Sequence, residues 1–371
     1  MRIAIQAENL VGGAGYQHAG VGRYSYSIID HLLQIGDRHE WLLATTNRFE
    51  PPAEWRNRPN FQHFAFPERF RIWRGLIRTP KLLAFRADAL FVLTGALCNH
   101  KLFRQAATIH DLFPFDHPEA FDQQWLGLMQ SVTQQQILKS NQLFAVSENT
   151  KGRILERFPT VPESRIQVTP NGPGNVGERR EYASVSAARL RELNVPFDRY
   201  LFTLGTLEPR KNLPALIEAM AQLRATPEYA DVGLIIGGGK GWKESAIYGR
   251  VAELGLESAI AFLGYVDDAD LPELFARSEA FVCASLDEGF GMPILEAMLY
   301  GTPVVSSDRG ALPEVGGDAA LYFDPASIEA MVGALRTALA PEFDRAHRIA
   351  AGIERAKTFT WERSARLTLE R

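Results

Sequence analysis

Cysteine is scarce in this chain. Two, Cys98 and Cys283, stand in 371 residues, one in each half. That excludes a disulfide framework, offers no Cys-x-x-Cys metal clip and fits a reducing compartment. A surplus of one charge sign is lacking too: 40 Lys and Arg face 44 Asp and Glu, a formal charge of −4. A nucleic-acid binder would carry a basic surplus, so no nucleic-acid partner is expected. No run approaches the roughly 20 apolar residues of a membrane-spanning helix. Met1 to Ala7 alternate, then reach Glu8 and a glycine cluster, unlike the apolar core of a secretory signal. The expectation is a soluble, cytoplasmic protein, at most peripheral on the inner face of the plasma membrane. Low-complexity tracts and short repeats are also missing.

What is present is an ordinary globular composition, 46% apolar and 23% charged, which excludes disorder, collagen and coiled coil as the main state. At about 150 residues per domain the length implies two domains or more. Cores of that size need no covalent staples. Short apolar runs alternate with helix-periodic ones from end to end. The strand-like runs of the first half are Arg2–Ala7, Trp41–Thr46, Phe61–Ala65, Ala89–Leu93, Ala106–His110, Gln142–Ser147 and Arg165–Thr169. Those of the second half are Leu201–Thr206, Val232–Gly237, Ile260–Gly264, Ala280–Ser285, Pro303–Ser307 and Ala320–Phe323. Val21, Tyr24, Ile28, Leu32 and Ile35 make one helical stripe, and Leu213, Leu216, Ile217, Met220 and Leu223 another. Strand–helix alternation predicts parallel sheets covered on both faces. The class is α/β, with two Rossmann-like domains. The turn-rich Asn171-Gly172-Pro173-Gly174-Asn175 marks the break, and the charged stretch Arg179–Glu192 predicts a surface helix. Ligands of open α/β sheets bind beyond the carboxyl ends of the strands, so the chemistry is sought there.

Four features stand at such ends. Asp287-Glu288-Gly289-Phe290-Gly291-Met292-Pro293-Ile294-Leu295-Glu296 follows an apolar strand. Its Pro suits a first helical turn, its glycines permit close backbone approach, and a helix start suits a phosphate. Glu288 and Glu296 could accept hydrogen bonds from hydroxyls at two ends of one ligand; the plainer alternative is a capping Glu288 and a solvated Glu296. Thr206-Leu207-Glu208-Pro209-Arg210-Lys211-Asn212 offers a fork and a point charge, a natural pair for a diphosphate, or else a solvated turn. Gly12-Gly13-Ala14-Gly15, continued by Gly20-Val21-Gly22-Arg23, is a glycine-rich strand–helix turn. It lacks the dinucleotide spacing, and Thr45-Thr46-Asn47 supplies no ribose-binding acid, which demotes an NAD-linked reading. His110-Asp111 ends the fifth run, where a His can face a ligand, although a lone His is more often structural.

Together these residues resemble a family, the retaining glycosyltransferases of the GT-B fold, family 4, with bacterial mannosyltransferases among them. The resemblance spans nearly the whole chain. It runs from Gly20–Tyr24 through His110-Asp111, Val146-Ser147 and Asn171-Gly172 to Gly205–Asn212, and ends on the pair Glu288 and Glu296. It implies two Rossmann-like domains facing across a cleft: residues 1–175, completed by a returning segment 358–371, and a donor domain 176–357. It implies that Gly20, Gly22, Thr206, Arg210, Lys211, Val266, Glu288, Gly289, Phe290, Gly291 and Glu296 bind the donor. Arg210 and Lys211 would hold its diphosphate, Glu288 its sugar hydroxyls, Glu296 its ribose, and His110 would act catalytically with Glu288 near the sugar. Some relatives have Arg where Thr206 stands, which shifts the phosphate work here.

The implied activity is hexosyl transfer from a nucleotide diphosphate sugar, GDP-mannose favoured, to a saccharide or lipid-linked saccharide in surface polysaccharide assembly. No cofactor or metal is implied, and front-face attack is the implied retaining route. A sugar-nucleotide epimerase, a phosphorylase and a non-catalytic sugar-nucleotide-binding subunit are the alternatives. Three look-alikes are discounted. Asp267-Asp268-Ala269-Asp270 reads as the cap of the helix after it rather than as a metal site. Gly237–Trp242 lacks the Ser or Thr of a phosphate loop. His100, His110 and His117 lack metal-ligand spacing. Arg69, Arg71, Arg74, Arg78, Lys81 and Arg86 surround Phe70, Trp73, Leu76 and Ile77. This reads as a packed helix whose basic face is open to an acceptor or to anionic lipid.

Overall fold

The computed structural model describes residues 1–10, 20–67, 74–98, 103–121, 123–174, 179–180 and 184–370; of 74–78 only the backbone is described. The readings placed on Gly12–Gly15, Arg69–Trp73, His100, and the side chains of Arg74, Leu76, Ile77 and Arg78 lie outside that description. The chain divides into two compact units. One comprises Met1–Asn171 with Thr360–Arg371, the other Gly172–Phe359.

In the first unit the strands are β1 (Arg2–Ala7), β2 (Glu40–Thr46), β3 (Phe61–Phe66), β4 (Ala89–Thr94), β5 (Arg104–Ile109), β6 (Gln142–Ala145) and β7 (Ile166–Val168). Among the described residues they form one parallel sheet in the order β3-β2-β1-β4-β5-β6-β7. The strand order reverses between β1 and β4. Such reversals leave a crevice at the carboxyl edge, since the connections on either side depart in opposite directions. The helix Gly20–Ile35 buries Tyr24, Ile28, Ile29, Leu32 and Leu33. Val21, counted in its apolar stripe, is exposed instead, because it lies in the first turn before the helix meets the sheet. The helix Arg74–Phe85 sends Leu82 and Phe85 into the core with Leu90, Ile137, Leu143 and Ile154, and leaves Lys81 and Leu83 exposed. Ser147 leaves the predicted sixth strand early. Its Oγ accepts the Thr150 N–H at 3.0 Å and caps the helix Glu148–Arg157.

The second unit has β8 (Tyr200–Leu204), β9 (Gly233–Gly237), β10 (Ile260–Gly264), β11 (Ala280–Cys283), β12 (Val304–Ser307) and β13 (Leu321–Phe323). Among the described residues they run parallel in the order β10-β9-β8-β11-β12-β13. Here the reversal falls between β8 and β11. Leu213, Leu216, Ile217, Met220 and Leu223, the stripe predicted from spacing, are all buried in one core with Leu234, Ile236, Val282 and Leu335. The predicted surface helix of 179–192 is shorter, Ala187–Glu192, because Ser186 starts it by accepting the Arg189 N–H at 3.1 Å. Asp270 stands before the helix Leu271–Arg277 but does not cap it with its side chain. Its carboxylate accepts instead from Arg189 at 2.7 Å, a stronger, charge-assisted partner.

The last helix, Trp361–Leu369, belongs to the first unit. Thr360 caps it, and Trp361 meets Tyr24 edge-on at 5.6 Å between ring centres. Ser364 Oγ donates to the Pro170 carbonyl. Phe359, one residue before that cap, stays in the second unit, edge-on to Phe290 with the Arg355 guanidinium over its ring.

Candidate active site

At the reversal between β8 and β11 two loops are tied together. The first follows β8, and its residues Pro209–Lys211 form one tight 3-10 turn. The second follows β11 and carries Ser285 to Gly291. The Leu286 N–H donates to the Arg210 carbonyl at 2.8 Å, which fixes one loop on the other. Glu288 is the centre of what they hold. Its Oε1 accepts from Lys211 Nζ at 2.6 Å and from Ser285 Oγ at 2.9 Å, and its Oε2 accepts from Arg210 Nη1 at 2.5 Å. Burial alone would raise this carboxyl. The Arg210 and Lys211 charges beside it, with the Lys211 and Ser285 hydrogen bonds, outweigh burial and hold it down at about 2. Glu288 is therefore ionised at neutral pH and caps no helix.

The neighbouring glycines explain how the loop sits so close to the sheet. Gly310 has φ +60, and a side chain there would meet Asp287 Oδ1 and the Glu288 carbonyl, each at 2.5 Å. The bare backbone lets the Ala311 N–H reach the Glu288 carbonyl at 2.9 Å. Gly291 has φ +106 and stands immediately before the helix Met292–Leu299, with Pro293 in its first turn. Gly205, Lys211, Gly237, Ser285, Glu288 and Gly291 line a small pocket at this edge. Val266 packs on Gly237 beside it, since a Cβ on Gly237 would lie 3.1 Å from Val266 Cγ2.

Glu296, four residues into the helix, is buried, and its Oε1 accepts the Gly174 N–H at 3.1 Å. The solvated alternative for this residue is thereby excluded. Thr206 is half-buried in the turn after β8, and Gly289 is buried in the loop. Phe290 is buried and turns its ring edge-on to Phe359.

The first unit holds the other predicted residues. His110 follows β5, edge-on to Tyr24 at 4.7 Å between ring centres. Burial drives its pKa down to about 4 against the opposing hydrogen bond to the Leu93 backbone, so the ring is neutral at pH 7. Its Nε2 is buried with no hydrogen-bond partner among the described residues, and a buried polar atom left unpaired is costly. Gly20 and Gly22 lie in the first turn of the helix Gly20–Ile35.

Two residues that complete the cluster carried no assigned role in the sequence reading. Ser285 is the donor that fixes Glu288, and Glu208 is the second carboxylate on Arg210, accepting from its Nε at 2.8 Å. A small hydroxyl at a strand end and an acid two residues before the Arg were the available signals.

Two half-buried cations, two buried carboxylates and a helix start thus stand together at a sheet's switch point, an arrangement that can carry charge in a water-poor setting. The chain matches the family Glycosyl transferases group 1 over residues 191–355 and Glycosyltransferase Family 4 over residues 18–172. It is 33% identical over 374 residues to the O-antigen chain mannosyltransferase B of Escherichia coli, covering 95% of this chain and 96% of that one. The chain belongs to the glycosyl transferases of group 1. This glycosyltransferase has the GT-B fold of two parallel α/β units. The sucrose-phosphate synthase of Thermosynechococcus elongatus shares that fold at a TM-score of 0.75 and 20% identity, over 100% of this chain and 97% of that one. So does WaaG, a glycosyltransferase involved in lipopolysaccharide biosynthesis, at 0.75 and 17%, over 99% and 98%.

Proposed function

We propose that this glycosyltransferase moves mannose from GDP-mannose to a saccharide or lipid-linked saccharide of a surface polysaccharide, with retention and without a metal ion. The observation that carries the reading is the Arg210–Glu288–Lys211 cluster at the β8/β11 switch point. As the glycosidic bond breaks, negative charge develops on the leaving diphosphate and positive charge at the anomeric carbon. Arg210 and Lys211 would stabilise the first, with the amides at the start of the helix Met292–Leu299. Ionised Glu288 would accept from the sugar hydroxyls and stabilise the second. Glu296 would take the ribose, with Thr206, Val266 and the Gly289–Gly291 backbone around the nucleotide. Neutral His110 would act catalytically by offering one hydrogen bond through its Nε2. Two fixed cations can replace the charge a metal would bring. In this reading the departing phosphate takes the acceptor proton on the front face.

The choice of mannose and of a surface-polysaccharide acceptor rests on the O-antigen mannosyltransferase relative. No described helix is long and apolar enough to cross a membrane, and the reading places the protein in the cytoplasm, peripheral at the inner face of the plasma membrane, where a lipid-linked acceptor would lie.

The test is transfer from GDP-mannose to a mannosyl acceptor in EDTA, with the product's anomeric configuration read by NMR. Retention in EDTA is the expected result. An inverted product would overturn the retaining route. Loss in EDTA with rescue by Mg²⁺ or Mn²⁺ would return Asp267–Asp270 to consideration. Turnover of UDP-glucose but not GDP-mannose would overturn the donor.

A further inference from the structure

Arg210 is gripped by two carboxylates, and the two grips differ. Its Nε and Nη2 both reach Glu208 Oε1 at 2.8 Å, while Nη1 reaches Glu288 Oε2 at 2.5 Å. Glu288 already accepts from Lys211 and Ser285. In the proposed function it also meets the sugar hydroxyls, and each hydroxyl competes for lone-pair capacity that Arg210 uses. Glu208 has no such second task. Its side chain is the most buried of the four charged groups, 6% exposed against 10% for Glu288, 16% for Lys211 and 20% for Arg210. A carboxylate that deep is costly unless it is paired and hydrogen-bonded. The backbone makes the arrangement rigid: the Glu208 carbonyl accepts the Lys211 N–H at 3.1 Å, and the Arg210 carbonyl accepts the Leu286 N–H at 2.8 Å.

We propose that Glu208 is a positioning residue for donor binding, whose carboxylate keeps the Arg210 guanidinium oriented toward the diphosphate when Glu288 turns to the sugar. The inference rests on the reading that Arg210 and Lys211 take that diphosphate. It has a sign that bare charge does not share. A carboxylate beside an anion site repels the anion, so removing its charge would tighten diphosphate binding if charge were all that mattered. Losing an orienting grip weakens it.

The experiment measures calorimetric affinities of the full chain for whichever of GDP and UDP binds more tightly, and for the matching nucleoside. The proteins compared are the parent, Glu208→Gln, Glu208→Asp and Lys211→Ala. Glu208→Gln is expected to weaken the diphosphate at least tenfold and the nucleoside less than twofold, with Glu208→Asp, which keeps the charge, in between. Unchanged or tighter diphosphate binding in Glu208→Gln overturns the proposal. So does an equal loss for nucleoside and diphosphate, which marks a role in folding alone. If Glu208→Gln does not fold, Glu208→Asp is read by the same diphosphate-to-nucleoside ratio. Lys211→Ala separates the two levels. Normal diphosphate affinity there, or no binding by the parent, removes the diphosphate reading and this inference with it. A loss there with none in Glu208→Gln removes only the inference.

Discussion

A buried carboxylate between two cations is a different object from the same residue in solvent. Glu288 stays charged because Arg210 and Lys211 face it, and the cations stay in place because it faces them. Removing one partner strands the others. Lys211→Ala is therefore expected to lower kcat/KM about 10²- to 10³-fold, the loss seen when one preorganised donor is deleted from a transition-state site. Near-normal steady-state kinetics would show that the leaving group departs elsewhere. His110 gives a pH-dependent counterpart. Its folded pKa, about 4, lies below the ordinary 6.5 because burial disfavours the charged ring. The stability that its neutral form contributes is complete above pH 6.5 and is lost as pH falls through 4. Urea unfolding at pH 7.5 and 4.5 should show a smaller acid penalty for His110→Gln than for the parent; equal penalties would refute the buried neutral ring. The residue types at this site were legible in the sequence, since Arg-Lys and the Glu-Gly-Phe-Gly loop both follow apolar runs. The ion pairs between them were not. They join positions 77 and 78 residues apart, and only the adjacency of β8 and β11 brings those together.

Elements depend on what starts and stops them. Gly291 stands before the helix Met292–Leu299 with φ +106, and a Cβ there would sit 2.7 Å from Leu312 Cδ2. Gly291→Ala is expected to cost about 1–2 kcal/mol from the left-handed backbone alone, with the Leu312 contact adding to it. Thermal unfolding would measure the loss, and an unchanged melting temperature would mean the loop rebuilds without that conformation. Ser147→Ala removes a side-chain cap and is expected to cost about 1 kcal/mol, read in the same assay. The thirteen predicted strand positions all became strands because apolar runs of this length, separated by helical periods, have few other parallel packings. Their ends were less legible. Hydroxyl side chains at a boundary choose between extending a strand and capping a helix, and Ser147 and Ser186 both cap. Val21 shows the same limit for a helix: spacing identifies a stripe, but the turn at which the helix first meets the sheet is set by tertiary packing.

The chain as a whole passes from the first unit to the second after Asn171 and returns before Thr360. The return places a helix from the far end of the sequence on the first helix of the chain. Trp361, Ser364 and Ala365 are buried there, and Trp361 meets the Tyr24 ring, which also meets His110. The first unit's order therefore depends on residues far along the sequence from the rest of it. Trp361→Ala is expected to cost about 3 kcal/mol, near the low end for a buried tryptophan, and the loss should be local. Stability is distributed in cooperative units, and an element that loses its cover opens before the rest. Hydrogen exchange should show lost amide protection in Gly20–Ile35 and in β1, with β8 to β13 unchanged. Deleting residues 361–371 should do the same more strongly, and should uncover apolar surface beside Tyr24 that lowers solubility. If protection fell equally in both sheets, the units would be unfolding as one, and the last helix would be supporting the whole chain rather than the first unit. If neither variant changed exchange in Gly20–Ile35, the helix would contribute nothing to the order of the Tyr24–His110 contact, and its return would need another explanation.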